Sequence, residues 1–293
     1  MKKLSQFLTY GLARMFLTSL KWLPITWTLF LGERIGLICY RLMPNRRKIV
    51  RRNLRIAKEH LSEPMDALER QTREVFLRSG ANLLTGFCFS RLPWHKVEKY
   101  ISIKGISLLN EKVKKGQGVI VLMAHMGPWE ALAHLPEIFR KKGISCELAA
   151  MFRPLNNKPL NRWVKKEREA SGTRMFSRDD GFSLPLKHLR NGGMLGILAD
   201  QKMKQGPKVD FFGQPAFTNP LPGLFQRRTG AALVSLSFTR TGKQQWLLEF
   251  HHVEPLSKDS TPSREAMCQA TNRALEKAIS ESLTDEFWFQ RRF

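Results

Sequence analysis

The chain has 293 residues, of which 42% are hydrophobic and 25% charged, a globular composition that excludes a disordered protein. Its 49 lysines and arginines exceed its 25 aspartates and glutamates by 24 charges, which favours an anionic partner. Nucleic acid, an acidic membrane surface, and an acidic protein or phosphorylated substrate all remain open. The four cysteines are far apart, which excludes a disulfide framework and indicates isolated thiols in a reducing compartment.

The amino-terminal segment is rich in Leu, Phe, Trp and Ile, but Arg14, Lys21, Glu33 and Arg34 interrupt it. No uninterrupted apolar run reaches the ~18–20 residues of a standard transmembrane helix. A signal peptide also fits poorly, because the apolar part is too long and a small-residue cleavage site is missing. We therefore predict that residues 1–45 form a membrane anchor, either tilted and partly inserted or lying in the interface.

A basic segment follows directly, with six lysines and arginines among the eleven residues from Asn45 to Arg55. Next to an apolar anchor, each of these gains about 1 kcal/mol near an anionic leaflet. The positive-inside tendency places the segment on the cytoplasmic side of the membrane. The alternative is an ordinary solvated face of a basic helix.

The remaining pattern predicts one α/β domain over residues 46–293, with a helical lead-in to about residue 95. Helical spacing extends from Pro64 to about Phe89, and Arg91-Leu-Pro-Trp94 ends it. Short apolar runs then predict strands at Gly118–Ala124, Ser145–Met151, Met194–Ala199, Ala232–Phe238 and Trp246–His251. Helices are predicted near Pro128–Lys142, Pro159–Ser171, Asp179–Asn191 and Ser263–Leu283. Such alternation predicts a mostly parallel central sheet flanked by helices.

A histidine and a glutamate stand at the end of the first of these strands. His125 follows the apolar run, Gly127-Pro128 turns the chain, and Glu130 falls in the first turn of the next helix. Ligands gather at the carboxyl ends of strands in open α/β sheets. A neutral imidazole is a competent base near pH 7, and a carboxylate on its other nitrogen stabilises the imidazolium. The pair is therefore a candidate for removing a proton from an attacking alcohol.

The spacing of this pair also has an ordinary structural explanation. A glutamate in a first helical turn is common because it opposes the helix dipole, and a strand-end histidine often only caps or packs. The sequence contains no Gly-x-Ser-x-Gly, so a serine nucleophile of that type is not indicated. No His, Cys and Asp cluster has ligand spacing, so neither a metal nor a cofactor is predicted.

The surroundings of the pair resemble a known family. The spacing from His125 to Glu130 resembles the His-x4-Asp/Glu motif of glycerolipid acyltransferases, whose acid position holds either residue. Further segments resemble the lipid A late-acyltransferase branch, of the lauroyl and myristoyl type, in the same order along nearly the whole chain. They are Arg52–Leu54, Phe152–Asn156, Leu198–Gln201, Val209–Ala216 with Thr218, Arg228–Ala232 and Trp288–Arg292.

This resemblance implies a glycerolipid-acyltransferase-like fold and an acyltransferase on the cytoplasmic face of the inner membrane. The implied reaction moves a fatty acyl chain from acyl carrier protein, or from acyl-CoA, onto a hydroxyl of a lipid A precursor. His125 would be the general base and Glu130 its orienting partner. The carrier protein, the phosphorylated precursor and the membrane surface are all anionic, as the charge of +24 favours.

Other polar residues follow the predicted strands or lie on the predicted helices. Arg153, after one strand, is a candidate for contacting the oxyanion or a phosphate, because a guanidinium suits both roles. Asp200 and Gln201 follow another strand, and Asp200 is a candidate for holding a sugar hydroxyl or orienting Arg153. Less specific candidates for substrate phosphate are three arginines that also fit a solvated surface, namely Arg162, Arg168 and Arg174.

Two other functions remain as alternatives. The nearest is an acyltransferase of the same superfamily with another acceptor, such as a phosphatidylinositol mannoside or an amino-acid lipid. A basic nucleic-acid-binding protein would explain the charge but not the apolar amino-terminal segment, and the chain lacks a recognition module. We therefore do not expect nucleic acid as a partner.

Overall fold

The computed structural model describes residues 2–254 and 262–293. Its amino-terminal part is helical, with four long helices, α1 (Lys2–Ser19), α2 (Ile25–Leu42), α3 (Pro44–His60) and α4 (Leu68–Phe89), and a single turn, α5 (Trp94–Val97). The helix predicted from Pro64 to about Phe89 is observed as α4, which begins at Leu68, four residues after Pro64. In the part of the chain described here, no helix is long and apolar enough to span a bilayer.

Glycines bring α2 and α4 into backbone contact. A Cβ atom placed on Gly36 would lie 2.2 Å from the carbonyl oxygen of Phe76, and one on Gly80 would lie 2.2 Å from the carbonyl oxygen of Gly32. The two helices cannot approach this closely with larger side chains. These glycines therefore dock the amino-terminal helices onto the rest of the protein.

We expect Gly36→Ala to destabilise the protein by about 1–3 kcal/mol, because the added methyl group overpacks a backbone contact. Gly11→Ala in α1 is the matched control, because no atom lies within 4 Å of the added Cβ. There the usual helical preference for alanine over glycine, about 1 kcal/mol, applies alone. Thermal unfolding in detergent gives the stability of both variants. A Gly36→Ala protein that is as stable as the Gly11→Ala protein would contradict the close contact between α2 and α4.

Strands and helices alternate beyond residue 100. In chain order they are β1 (Ile101–Lys104), α6 (Ile106–Lys114), β2 (Val119–Met123), α7 (Leu135–Lys141), β3 (Leu148–Phe152), α8 (Lys158–Glu169), β4 (Arg174–Ser177), α9 (Ser183–Arg190), β5 (Met194–Leu198), β6 (Lys208–Phe211), β7 (Gln214–Phe217), α10 (Leu221–Thr229), β8 (Ala232–Gly242), β9 (Gln245–His252) and α11 (Arg264–Ser280).

The main sheet has the strand order β1-β9-β8-β2-β5-β3-β4, and every neighbouring pair is parallel except β8 and β9. This confirms the predicted α/β fold with a mostly parallel sheet. All five residues of β2 are buried, because helices cover both faces of the sheet at its centre. A separate antiparallel hairpin of β6 and β7 contacts α11.

Two predicted helices begin differently from the prediction. The helix expected at Pro128–Lys142 starts as a 3₁₀-helix, Trp129–His134, and continues as α7. The helix expected at Asp179–Asn191 is a 3₁₀ turn, Arg178–Asp180, followed by α9. Gly181, with a φ of 79°, separates the two parts of the second helix. This left-handed backbone conformation, which suits glycine, cannot continue a right-handed helix.

Candidate active site

Polar residues that follow two neighbouring parallel strands meet at one edge of the sheet. His125 lies two residues beyond the end of β2, and Asp200 and Gln201 lie just beyond the end of β5. Since β2 and β5 are paired and parallel, their carboxyl ends lie side by side. The structure thus brings three candidate residues, His125, Asp200 and Gln201, to one edge of the sheet. Arg153 follows β3, the strand beyond β5, and its side chain is exposed.

Both ring nitrogens of His125 have polar neighbours. Nδ1 lies 2.8 Å from Oδ1 and 3.0 Å from Oδ2 of Asp200, and Nε2 lies 3.2 Å from the Gln201 amide nitrogen. A carboxylate only accepts hydrogen bonds and an amide nitrogen only donates, so this network assigns the ring proton to Nδ1. Nε2 is then unprotonated, and its lone pair, which accepts from the Gln201 amide, is the one that a general base would use.

The structure gives Glu130 a different contact from the predicted one. Its carboxylate accepts a two-pronged hydrogen bond from Arg168 of α8, at 3.0 Å from Nε and 2.5 Å from Nη2. The predicted hydrogen bond from His125 to Glu130 is therefore wrong, and Asp200 occupies that position. The Gly127-Pro128 turn carries Glu130 into the 3₁₀-helix that faces α8, whereas the His125 ring faces the end of β5.

The turn itself depends on glycine. Gly127 has a φ of 59°, and a Cβ atom on it would lie 2.1 Å from the carbonyl oxygen of Phe238 in β8. Any larger residue would push the chain away from the sheet just after His125. Gly127 thus allows the histidine and the glutamate to leave the strand in different directions.

Burial and neighbouring charges act in opposite directions on the His125 imidazole. Burial by itself lowers its pKa, but the charge of Asp200 and the hydrogen bond to it outweigh burial and raise the pKa above its ordinary value. The charge of Glu130 adds to this increase in the pKa, and the charge of Arg168 opposes it. Glu130 thus acts on His125 through space, without a hydrogen bond.

The predicted arginines lie at three different places. Arg168 joins the site through Glu130 and is largely covered. Arg162 also lies on α8 but is exposed to solvent. Arg174 is the first residue of β4 and lies at the opposite edge of the sheet from His125. Its Nη1 is 3.5 Å from Oε2 of Glu147. The structure therefore brings one of these three arginines, Arg168, to the candidate site.

The carboxyl-terminal segment forms a wall of the site that sequence reasoning did not predict. The backbone N–H of Phe287 donates to the carbonyl oxygen of His125 at 3.0 Å, and the N–H of Gly127 donates to the carbonyl oxygen of Asp285 at 3.1 Å. The Trp129 ring packs edge-on against two other rings. Its centroid lies 5.4 Å from that of the His125 ring and 5.9 Å from that of the Phe287 ring. The resemblance to the acyltransferase family included Trp288–Arg292 in this segment, but it did not predict the contact of the segment with His125.

The arrangement of these groups suits acid–base chemistry. The imidazole of His125 can accept a proton from a hydroxyl at Nε2 and return it, while the buried Asp200 carboxylate holds Nδ1. The Gln201 amide lies at Nε2 and is a hydrogen-bond donor. Within residues 2–254 and 262–293, no three His, Cys, Asp or Glu side chains are grouped so as to hold a metal ion.

Comparison with known proteins places this chain in a family. The family described as "Bacterial lipid A biosynthesis acyltransferase" matches the chain over residues 1–293. The chain is also similar to a protein of Escherichia coli (strain K12) named "Lipid A biosynthesis lauroyltransferase". The two are 23% identical over 275 residues, which cover 90% of this chain and 84% of that protein. Because the family match extends over the whole sequence, this chain belongs to the bacterial lipid A biosynthesis acyltransferases and is an acyltransferase.

Proposed function

We propose that this acyltransferase moves a fatty acyl chain from acyl carrier protein onto a hydroxyl of a lipid A precursor, with His125 as the general base. The observation that carries the catalytic assignment is the contact of the two nitrogens of His125 with Asp200 and Gln201 at the carboxyl edge of the sheet. The family match supports the acceptor.

In the proposed reaction the acceptor hydroxyl replaces the Gln201 amide at Nε2 of His125. As the hydroxyl oxygen attacks the thioester carbonyl, its proton passes to Nε2, and Asp200 stabilises the resulting imidazolium through Nδ1. A tetrahedral intermediate forms with its negative charge on the former carbonyl oxygen. The carbon–sulfur bond then breaks, and the departing thiolate takes the proton back from Nε2.

The developing oxyanion needs hydrogen-bond donors. Gln201 is a candidate, because its amide becomes free when the hydroxyl displaces it and already lies 3.2 Å from His125. Arg153 remains a candidate for the oxyanion or for a substrate phosphate. Arg168 is held by Glu130, so we propose that Glu130 positions this guanidinium beside the reacting groups, where it contacts the substrate. Arg162 lies nearer the start of α8 and is exposed, where it suits a phosphate at the rim.

The charge distribution supports an anionic donor and acceptor. The six basic residues between Asn45 and Arg55 lie on α3, directly after the two amino-terminal helices. Acyl carrier proteins and phosphorylated lipids are both acidic, and a basic surface speeds their association. We place the protein at the cytoplasmic face of the inner membrane.

The exposed side chains of α1, α2 and the turn between them support this placement. They include large apolar residues that are exposed over 42–79% of their surface, namely Phe7, Leu8, Leu12, Met15, Phe16, Trp22, Trp27, Phe30, Ile38 and Leu42. Exposed apolar arrays of this kind mark interaction surfaces. Trp22 and Trp27 suit headgroup depth, where amphipathic rings are favoured.

A reconstituted assay with two donors and three acceptors tests the proposal. Purified protein in mixed micelles is offered acyl carrier protein or coenzyme A thioesters of several chain lengths, with a tetra-acylated lipid A precursor. We expect one added acyl chain by mass spectrometry, with faster transfer from the carrier protein. A phosphatidylinositol mannoside and an amino-acid lipid serve as comparison acceptors. Transfer to either of these, without transfer to lipid A, would contradict the proposed acceptor.

A further inference from the structure

A second buried carboxyl group lies behind the His125–Asp200 pair. Glu286 is 3% exposed, and its backbone forms an isolated antiparallel bridge with Met126, the neighbour of His125. The next residue, Phe287, is hydrogen-bonded to the carbonyl oxygen of His125. This double attachment places Glu286 beside the buried His125–Asp200 pair, where its carboxyl interacts with that of Asp200 through charge and a hydrogen bond.

Two carboxyl groups that are this close and buried cannot both be ionised. Burial, first, and then the charge of Asp200 and the hydrogen bond to it raise the pKa of Glu286 well above its ordinary value. Oε2 of Glu286 is also buried, and among the described residues no hydrogen-bond donor reaches it, so a negative charge on this oxygen would lack compensation.

The surrounding charges favour the same protonation state. Arg292 is the cation near this pair, and burial lowers its pKa to about 10, so it stays protonated near neutral pH. Its single positive charge is attracted by three carboxyl groups, those of Asp200, Glu286 and Glu276. Burial also raises the pKa of Glu276, which accepts a hydrogen bond from the backbone N–H of Phe212. A neutral Glu286 leaves this buried group with the smallest net charge.

We propose that Glu286 is a protonated carboxylic acid that donates a hydrogen bond to Asp200 and thereby acts as a positioning residue for His125. This inference rests on the proposed function and deepens it. The donated hydrogen bond holds the Asp200 carboxylate in the orientation that faces Nδ1 of His125. It also withdraws charge from Asp200, which limits how far Asp200 raises the pKa of His125.

The protonation state can be measured without any substrate. Difference infrared spectra of the full chain in detergent at neutral pH, wild type minus Glu286→Gln, should show the carbonyl band of a protonated carboxylic acid. Glu111→Gln is the control, because Glu111 lies at the surface and the hydrogen bond and charge of Lys115 lower its pKa. Its difference spectrum should show a carboxylate band instead. A carboxylate band for Glu286 would overturn the proposal, whatever acceptor the enzyme uses.

A pair of variants tests the positioning role with whichever acceptor supports transfer. Glu286→Met removes the donor, and we expect kcat to fall about ten- to hundredfold, the range for a lost hydrogen bond to a charged group. With the Asp200 charge no longer moderated, the rising limb of the pH–rate profile should move to higher pH. Glu286→Gln restores a neutral donor, so it should recover most of the activity and the wild-type midpoint.

Other results would contradict the proposal. If Glu286 is ionised, Glu286→Gln removes a negative charge beside Asp200, and the midpoint moves to lower pH. If Glu286→Gln loses as much activity as Glu286→Met while both proteins unfold at the wild-type temperature, the hydrogen-bond donor is not what matters. If the Glu286→Met protein does not fold, the infrared band and the pH–rate profile of Glu286→Gln still decide whether Glu286 is protonated.

Discussion

Replacing His125 with alanine is expected to lower kcat by about two to four orders of magnitude, the usual contribution of a general base. The variant removes the group that accepts the proton of the attacking hydroxyl, while the other substrate contacts remain. We therefore expect KM to change much less than kcat. Initial rates of acyl transfer in mixed micelles give both constants, and the unfolding temperature shows whether the fold persists.

His252→Ala is the matched control for this variant. His252 is an exposed histidine at the end of β9, which is antiparallel to β8 and therefore ends at the opposite edge of the sheet from His125. We expect its rate to stay close to that of wild type. A His125→Ala protein with wild-type kcat would contradict the proposed mechanism as a whole.

The second large effect is expected for Asp200→Asn, with a loss of about a thousandfold in kcat. The asparagine amide keeps the shape of the side chain but removes the charge that stabilises the imidazolium, and it also permits the wrong tautomer of His125. Glu130→Gln is the informative comparison, because it weakens the contact to Arg168 and leaves Asp200 in place. We expect Glu130→Gln to lose about tenfold, as for one weakened charge-assisted hydrogen bond.

The pH–rate profile separates the roles of these two carboxylates further. Because only the neutral imidazole accepts a proton, the wild-type rate should rise with pH, with a midpoint above the ordinary histidine pKa of about 6.5. In Asp200→Asn the main contribution that raises this pKa disappears and burial remains, so the midpoint moves to lower pH. A larger shift in Glu130→Gln than in Asp200→Asn would assign the orienting role to Glu130.

Part of this site could be predicted from the sequence because the strands that carry it are buried on both faces. The unbroken apolar runs of β2 and β5 marked where those strands end, and so located His125, Asp200 and Gln201. The short strands β1 and β4, at the two edges of the sheet, were not predicted, because an edge strand of four residues produces no long apolar run. Neither was the β6–β7 hairpin, which lies outside the main sheet.

The partner of each catalytic group was decided by the tertiary structure alone. Glu130 is five residues from His125 in sequence and Asp200 is 75 residues away, yet Asp200 has the contact. Strand order places the end of β5 beside that of β2, and the turn at Gly127 directs Glu130 toward α8. The spacing of residues in the sequence shows only which residues follow the same strand. Which residues meet depends on how the strands pair and on how the carboxyl-terminal segment packs, as in the hydrogen bond from the N–H of Phe287 to the carbonyl oxygen of His125.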